Sequence, residues 1–171
     1  VVWDGEVEPT LLDRLIEERM ADNLHNLFGL LAVLHDPKEI WPAYRSLLSA
    51  EVLERANALE FLDNTLEGDV KRDTFAVIDD SLLPEKLAAA SRRFGVAVKK
   101  KADTIRRYLD LTEVEEPEAN ALISAALYSI HLEAVRGLEG KIRILAEEAT
   151  DAFVKETAVW VGGRLGLSDL G

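Results

Sequence analysis

Cysteine is absent from this chain, and its absence removes several kinds of chemistry at once. Disulfides, thiolate metal sites and cysteine nucleophiles are all excluded, and a reducing compartment is the expectation. Strand patterns are also missing: no stretch alternates between apolar and polar residues with a period of two, and β-branched residues are scattered. The sequence therefore predicts no β-strands.

Long apolar runs and positive charge are scarce as well. No run approaches the ~20 apolar residues that a membrane helix needs, and the best candidate, residues 24–34, contains His25 and Asn26. We therefore expect no membrane insertion of this segment. With 20 basic and 32 acidic residues the net charge is −12, which on average repels nucleic acid and anionic lipid. The single methionine is Met20, so we expect a fragment of a longer protein.

What the chain does contain is helical periodicity along nearly its whole length. Apolar residues recur at the i, i+3, i+4 spacing of one helix face, and we predict an all-α fold in one domain spanning 1–171. A capping box at Thr10 and Asp13 starts the first helix, and Gly95 ends the fifth. Pro42 predicts either a kink in the second helix or a start near Trp41. The predicted helices cover about 10–34, 37–49, 52–66, 70–78, 83–94, 98–109, 117–132 and 151–165. A further short helix is predicted to start between Gly137 and Gly140 and to end at 148. Gly68 is predicted to end the third helix.

Three of these helices carry a similar pattern of small and apolar residues. Their equivalent alanines are Ala58, Ala126 and Ala158; the last two are 32 residues apart, and the first gap of 68 is about twice that. Such a period in an all-helical chain predicts stacked hairpins, an α-solenoid of about four to five hairpins. Ala56, Ala58, Ala125, Ala126 and Ala158 are the predicted crossing points, because close helix approach requires small side chains. An ordinary helical bundle is the alternative.

Parts of the chain resemble a known family. The segments 36–40, 43–47 and 55–64, with 154–160 near the end, are similar to bacterial HEAT-like repeats. The resemblance is to the HEAT-like region attached to membrane proteins related to ATP/ADP translocases and major-facilitator transporters. It covers residues 24–66 and 120–166 and is poor over 67–115. It implies a HEAT-like solenoid with a binding or regulatory role, no catalytic residue, and a cytoplasmic position, as the soluble part of a membrane protein.

The middle of the chain departs from the acidic average. Basic residues concentrate between 92 and 107, where Asp103 is the only acid. If they share a face, they could bind a phosphate, a nucleic-acid backbone or an acidic partner segment; otherwise they form an outer face paired with the chain's own acids. The candidate binding residues are Arg92, Arg93, Lys99, Lys100, Lys101, Arg106 and Arg107.

Other groups of polar residues do not indicate a metal site or an active site. Asp22 and His25 have the i, i+3 spacing of a carboxylate–histidine metal site, but the sequence lacks the Glu-x-x-His motifs that such bundles use, so we predict a histidine at a helix surface. Adjacent acids, as in Glu17–Glu18, point about 100° apart on a helix and do not converge on a substrate. We predict no catalytic residue, metal or cofactor. Trp41 and Trp160 are predicted to fill the core or the space between hairpins.

These observations favour a binding protein over an enzyme. We expect a non-enzymatic α-solenoid that recognises a protein partner or an attached domain of the same chain. The alternative is a nucleic-acid-binding module of the HEAT-type DNA glycosylase kind, acting through the basic segment 92–107. The net charge of −12 disfavours that alternative.

Overall fold

The computed structural model describes residues 9–79, 81–95, 100–111 and 117–167. Throughout these ranges the regular structure is helical, which confirms the predicted all-α class. The helices are α1 (Leu11–Leu34), α2 (Pro37–Leu47), α3 (Val52–Thr65), α4 (Gly68–Ile78), α5 (Leu83–Phe94), α6 (Lys101–Leu109), α7 (Pro117–Leu132), α8 (Glu139–Glu148) and α9 (Ala152–Arg164).

The described residues fall into two compact units. Unit 1 comprises 18–79 and 81–95, and unit 2 comprises 9–17, 100–111 and 117–167. In unit 1, α2 packs against α3 and α4 against α5; in unit 2, α6 packs against α7, and α9 packs against both α8 and α7. These contacts between neighbouring helices are consistent with a helical repeat. The single domain predicted for 1–171 stays a prediction.

Local signals set most helix ends. Thr10 and Asp13 form the predicted capping box: Thr10 N donates to Asp13 Oδ2 at 2.9 Å, and Asp13 N donates to Thr10 Oγ1 at 3.3 Å. Gly95 ends α5 with φ +67°, and its N–H donates to the Ser91 carbonyl at 3.0 Å. That left-handed conformation is the reason for glycine at this position.

The predicted start of the second helix at residue 37 is confirmed: Asp36 Oδ1 accepts a hydrogen bond from Lys38 N at 2.9 Å, and α2 begins at Pro37. The alternative start near Trp41 is wrong, because Pro42 lies inside the helix. Gly68 does not end the third helix either. It is the first residue of α4 (φ +56°), while α3 ends at Thr65.

Each unit has its own apolar core. The buried residues of unit 1 are Phe28, Leu31, Ile40, Ala43, Leu47, Ala58, Leu62, Leu66 and Ile78. Those of unit 2 are Leu12, Ile105, Leu109, Leu122, Ile123, Ala125, Ala126, Leu127, Ile130, Leu138, Ile142, Leu145, Ala146, Val154, Ala158 and Val161. The core of unit 2 takes most of its side chains from α7, which is buried on nearly all sides.

The alanines predicted to lie at helix crossings are buried, with one exception. Ala58, Ala125, Ala126 and Ala158 are at most 4% exposed, and Ala126 on α7 and Ala158 on α9 belong to two helices that pack together. Ala56 is exposed, so its prediction as a crossing point is wrong. It lies two positions before Ala58, and that separation turns a side chain about 200° around a helix.

Candidate functional site

A cavity of about 350 Å³ lies in unit 2, where α7, α9 and the first turns of α1 meet. We call it the α7–α9 groove. Its lining is largely apolar, with hydroxyl groups from three side chains. The lining residues are Leu11, Leu15, Ala121, Ser124, Tyr128, Phe153 and Thr157. This size is that of a site for one large side chain or a small ligand.

Helical spacing explains how the groove forms. On α9, Phe153, Thr157, Trp160 and Arg164 recur at intervals of three or four residues and so share one face. The neighbouring face, roughly 100° around the helix and including Ala158, is in the core. On α7, Ala121, Ser124 and Tyr128 repeat the same spacing. The two helices thus contribute one row each to the groove.

Aromatic side chains form one end of this surface. The rings of Tyr128 and Trp160 stack with centroids 5.6 Å apart, and the His131 ring meets the edge of Trp160 at 5.3 Å. Arg164 Cζ lies 5.2 Å from the Trp160 centroid, a cation–π distance. Trp160 is 41% exposed, and Phe153 is 65% exposed. Of the two positions predicted for Trp160, the core is wrong, whereas its stacking between α9 and α7 agrees with a filler between helices.

The hydroxyl of Ser124 is unusual within the groove. Ser124 is 4% exposed, and its Oγ has no hydrogen-bond partner among the described residues. Other helical hydroxyls in unit 2 are satisfied: Ser129 Oγ donates to the Ala125 carbonyl at 2.9 Å, and Thr157 Oγ1 donates to the Phe153 carbonyl at 2.7 Å. A buried polar group without a partner is costly, so Ser124 marks a position where a ligand could supply the missing bond.

The predicted basic residues of unit 1 lie at the end of α5. Arg93 binds Asp73 through two hydrogen bonds, Nε to Oδ1 at 2.8 Å and Nη2 to Oδ2 at 3.0 Å. These bonds and the guanidinium charge hold the pKa of Asp73 below its usual value, and the carboxylate raises the pKa of Arg93. Arg92 is exposed. Arg93 is thus already engaged with an acid of its own chain.

The predicted basic residues of unit 2 lie along α6. Lys101 Nζ lies 2.6 Å from Glu133 Oε1 and 3.8 Å from Asp13 Oδ2. Arg106 Nη1 lies 3.3 Å from Asp103 Oδ1. Lys100 is the N-cap residue of α6, and Lys99 lies outside the described residues.

An open hollow of about 450 Å³ beside α6 is lined by two acids and two bases, Asp103, Arg106, Arg107 and Asp110. Opposite charges therefore alternate where the sequence predicted a basic face. In the described ranges, Arg107 and Lys100 have no ion pair.

The described residues contain neither a cluster of metal-ligating side chains nor a membrane-spanning helix. His25 is exposed and lies against aromatic rings, 5.0 Å from Trp41 and 5.5 Å from Tyr44 between centroids. Within the ranges given above, no group of three or more histidine, aspartate or glutamate side chains could hold a metal ion. In the same ranges no helix has the length and apolar character to cross a membrane.

The sequence reasoning missed the groove. Its signal was present as a second row of apolar residues on α9, Phe153 and Trp160, which lies roughly 100° around the helix from the buried row of Val154, Ala158 and Val161. A helix whose apolar residues extend beyond its buried row has either a wider buried face or a free binding face. Choosing between these required knowing that no other described helix covers Phe153.

Comparison with known proteins gives no relative for this chain. It matches no family model, no curated protein and no solved structure.

Proposed function

We propose that this chain is a non-enzymatic binding module, a HEAT-like stack of helical hairpins that recognises a protein partner. The hairpins would be α2–α3, α4–α5, α6–α7 and α8–α9, since each pair packs together. The contact between α7 and α9 supports this arrangement, because second helices of successive hairpins pack side by side in an α-solenoid. Ala126 and Ala158 then occupy equivalent positions in that contact.

The observation that carries the proposal is the exposed aromatic and apolar surface of the α7–α9 groove. Phe153, Trp160, Tyr128 and Leu11 are 65%, 41%, 39% and 55% exposed. Aromatic side chains around a pocket are the common anchors of protein interfaces. The groove lining offers hydroxyls but no carboxylate, imidazole or amine, which supports binding rather than acid–base catalysis.

The wider role follows from the resemblance to HEAT-like repeats. We propose that the partner is another protein or an attached domain of the same chain, and that the module regulates it in the cytoplasm. The basic side chains between 92 and 107 would then tune the electrostatics of recognition. Arg92, Lys100 and Arg107 supply that charge, because Arg93, Lys101 and Arg106 already have acidic neighbours.

A selection from random peptides tests this function. Peptides of about 15 residues, long enough for four helical turns, are displayed on phage and selected against the immobilised chain. We expect enriched sequences that share apolar positions and compete with one another for the chain. If repeated selections enrich no sequence, while a known peptide-binding domain does so in parallel, the proposed function is wrong.

A further inference from the structure

We propose that the α7–α9 groove binds an amphipathic helix that inserts a tyrosine against Ser124 and places a carboxylate at Arg164. This inference rests on the proposed function and names the class of partner. It joins three features of unit 2: among the described residues, a buried hydroxyl has no hydrogen-bond partner and an arginine has no acidic partner, and a cavity is lined by both small and large side chains.

Ser124 defines the polar requirement of the occupant. Its side chain lines the cavity, is 96% buried and leaves Oγ without a hydrogen-bond partner in the described part of the chain. That oxygen is already shielded from water, so a wholly apolar occupant would leave the cost of its missing bond in place. A tyrosine hydroxyl can both donate and accept, so it satisfies Ser124 while the ring fills apolar space.

The shape of the groove defines the backbone of the occupant. The lining combines small side chains with larger ones; the small ones are Ala121, Ser124 and Thr157, and the larger ones are Leu11, Leu15, Tyr128 and Phe153. Small residues at a contact allow two helix axes to approach within about 8–10 Å. A cavity of about 350 Å³ then accepts one large side chain from such a helix, and apolar residues three and four positions away contact the walls.

Arg164 defines the charge of the occupant. Its guanidinium lies over Trp160, it is exposed, and no carboxylate among the described residues pairs with it. It lies seven residues beyond Thr157 on α9, which corresponds to two turns, or about 10 Å. A partner helix that lies along α9 and places its tyrosine beside Thr157, in the cavity that Ser124 also lines, therefore presents its acid seven residues from that tyrosine, before or after it according to helix direction.

A synthetic helical peptide is the probe. It carries a central tyrosine, leucines at three and four positions on either side, glutamates at seven positions on either side, and alanine and lysine elsewhere. Fluorescence polarisation measures its affinity for the full chain. We expect saturable binding, weakened roughly tenfold or more by Thr157→Arg. A peptide of the same composition in scrambled order controls for attraction to the net charge of −12.

Thr104→Arg is the matched control for Thr157→Arg. Thr104 also donates from a helix to the carbonyl four residues earlier, Lys100, at 3.4 Å, and the substitution adds the same charge without lining the groove. We expect this variant to bind the probe within about twofold of the original chain.

A two-by-two comparison tests the tyrosine–serine contact. Replacing the peptide's tyrosine by phenylalanine should weaken binding to the original chain by roughly 2- to 10-fold, the range of one net hydrogen bond. On Ser124→Ala the two peptides should bind equally. Ser124→Ala should resist urea at least as well as the original chain, because it removes an unsatisfied hydroxyl. Replacing the peptide's glutamates by glutamine should weaken its binding to the original chain but should not weaken its binding to a variant that lacks Arg164.

The contrary results are separable from failure of the proposed function. If peptides from the phage selection bind but Thr157→Arg leaves their affinity unchanged, the chain is a binding module and the groove is not its site. If the tyrosine and phenylalanine peptides bind the original chain equally, the contact with Ser124 is refuted. If the chain dimerises in sedimentation and Thr157→Arg abolishes the dimer, the occupant is a second copy, and the inference is overturned.

Discussion

The carboxylate of Asp151 joins two helices while it starts one of them. Oδ1 accepts a hydrogen bond from Val154 N at 2.9 Å and so caps α9, and Oδ2 accepts one from Asn120 Nδ2 on α7 at 3.1 Å. Both helices line the α7–α9 groove. A single side chain thus sets the first turn of α9 and ties it to α7.

Asp151→Ala should therefore cost more than loss of a cap alone. A lost N-cap costs about 0.5–2 kcal/mol of unfolding free energy, and the bond to Asn120 adds about 0.5–1.5 kcal/mol. Urea unfolding followed by circular dichroism measures the loss. Asp36→Ala is the control, because Asp36 is exposed and caps α2 through Lys38 N. Equal losses in the two variants would show that the bond to Asn120 contributes nothing.

Ala126→Leu should destabilise the contact between α7 and α9. Ala126 is fully buried, and added methylenes in a packed contact cost about 1–3 kcal/mol. Ala56→Leu is the control, because Ala56 is exposed on α3 and its substitution should change stability by less than about 0.5 kcal/mol. Equal urea midpoints for the two variants would contradict the packing described for α7 and α9.

The pKa of Asp73 should lie below the ordinary value for an aspartate, because Arg93 donates two hydrogen bonds to it. A folded-state pKa below the unfolded one gives a stabilising contribution above the unfolded pKa, about 3.9, and that contribution is lost as the pH falls through the folded value. Carboxyl NMR titration should show the pKa rising in Arg93→Gln. Arg92→Gln should leave it unchanged, since no ion pair joins Arg92 to Asp73. An unaltered pKa in Arg93→Gln would refute the assignment.

Duplex DNA should not bind the chain measurably, even at low salt. The net charge is −12, and Arg93 and Lys101 already contact Asp73 and Glu133. A gel-shift titration at about 20 mM salt, where phosphate contacts are strongest, is sufficient. Binding that weakens steeply with salt and is lost on replacing Lys99, Lys100 and Lys101 by glutamine would instead support the nucleic-acid alternative.

Sequence signals of short range predicted helix existence and most helix ends. The capping box at Thr10 and Asp13, proline at the start of α7 and glycine after α5 all act within one helical turn. For this reason the predicted and observed bounds of α5 and α7 coincide. The prediction that Gly68 ends the third helix was wrong because glycine occurs at both ends of helices, and here it is the first residue of α4.

Buried positions and binding surfaces could not be predicted in the same way, because they depend on contacts between residues that are far apart in the chain. Ala56 and Ala58 are alike in the sequence, but only Ala58 faces α2 and the core of unit 1. Trp160 was predicted to lie in the core or between hairpins; its ring stacks on Tyr128 and remains partly exposed. The acids that engage Arg93 and Lys101 lie 20 or more residues away, so the sequence predicted pairing with the chain's own acids only as one of two alternatives and did not identify those acids.

The claim that the α7–α9 groove is the recognition surface is tested most directly by NMR. Amide and indole resonances of the isotope-labelled full chain are followed as the tyrosine peptide is added. The largest shift changes are predicted at residues 121–128 and 153–164, including the Trp160 indole. Changes confined to residues 92–107, or to unit 1, would contradict the account.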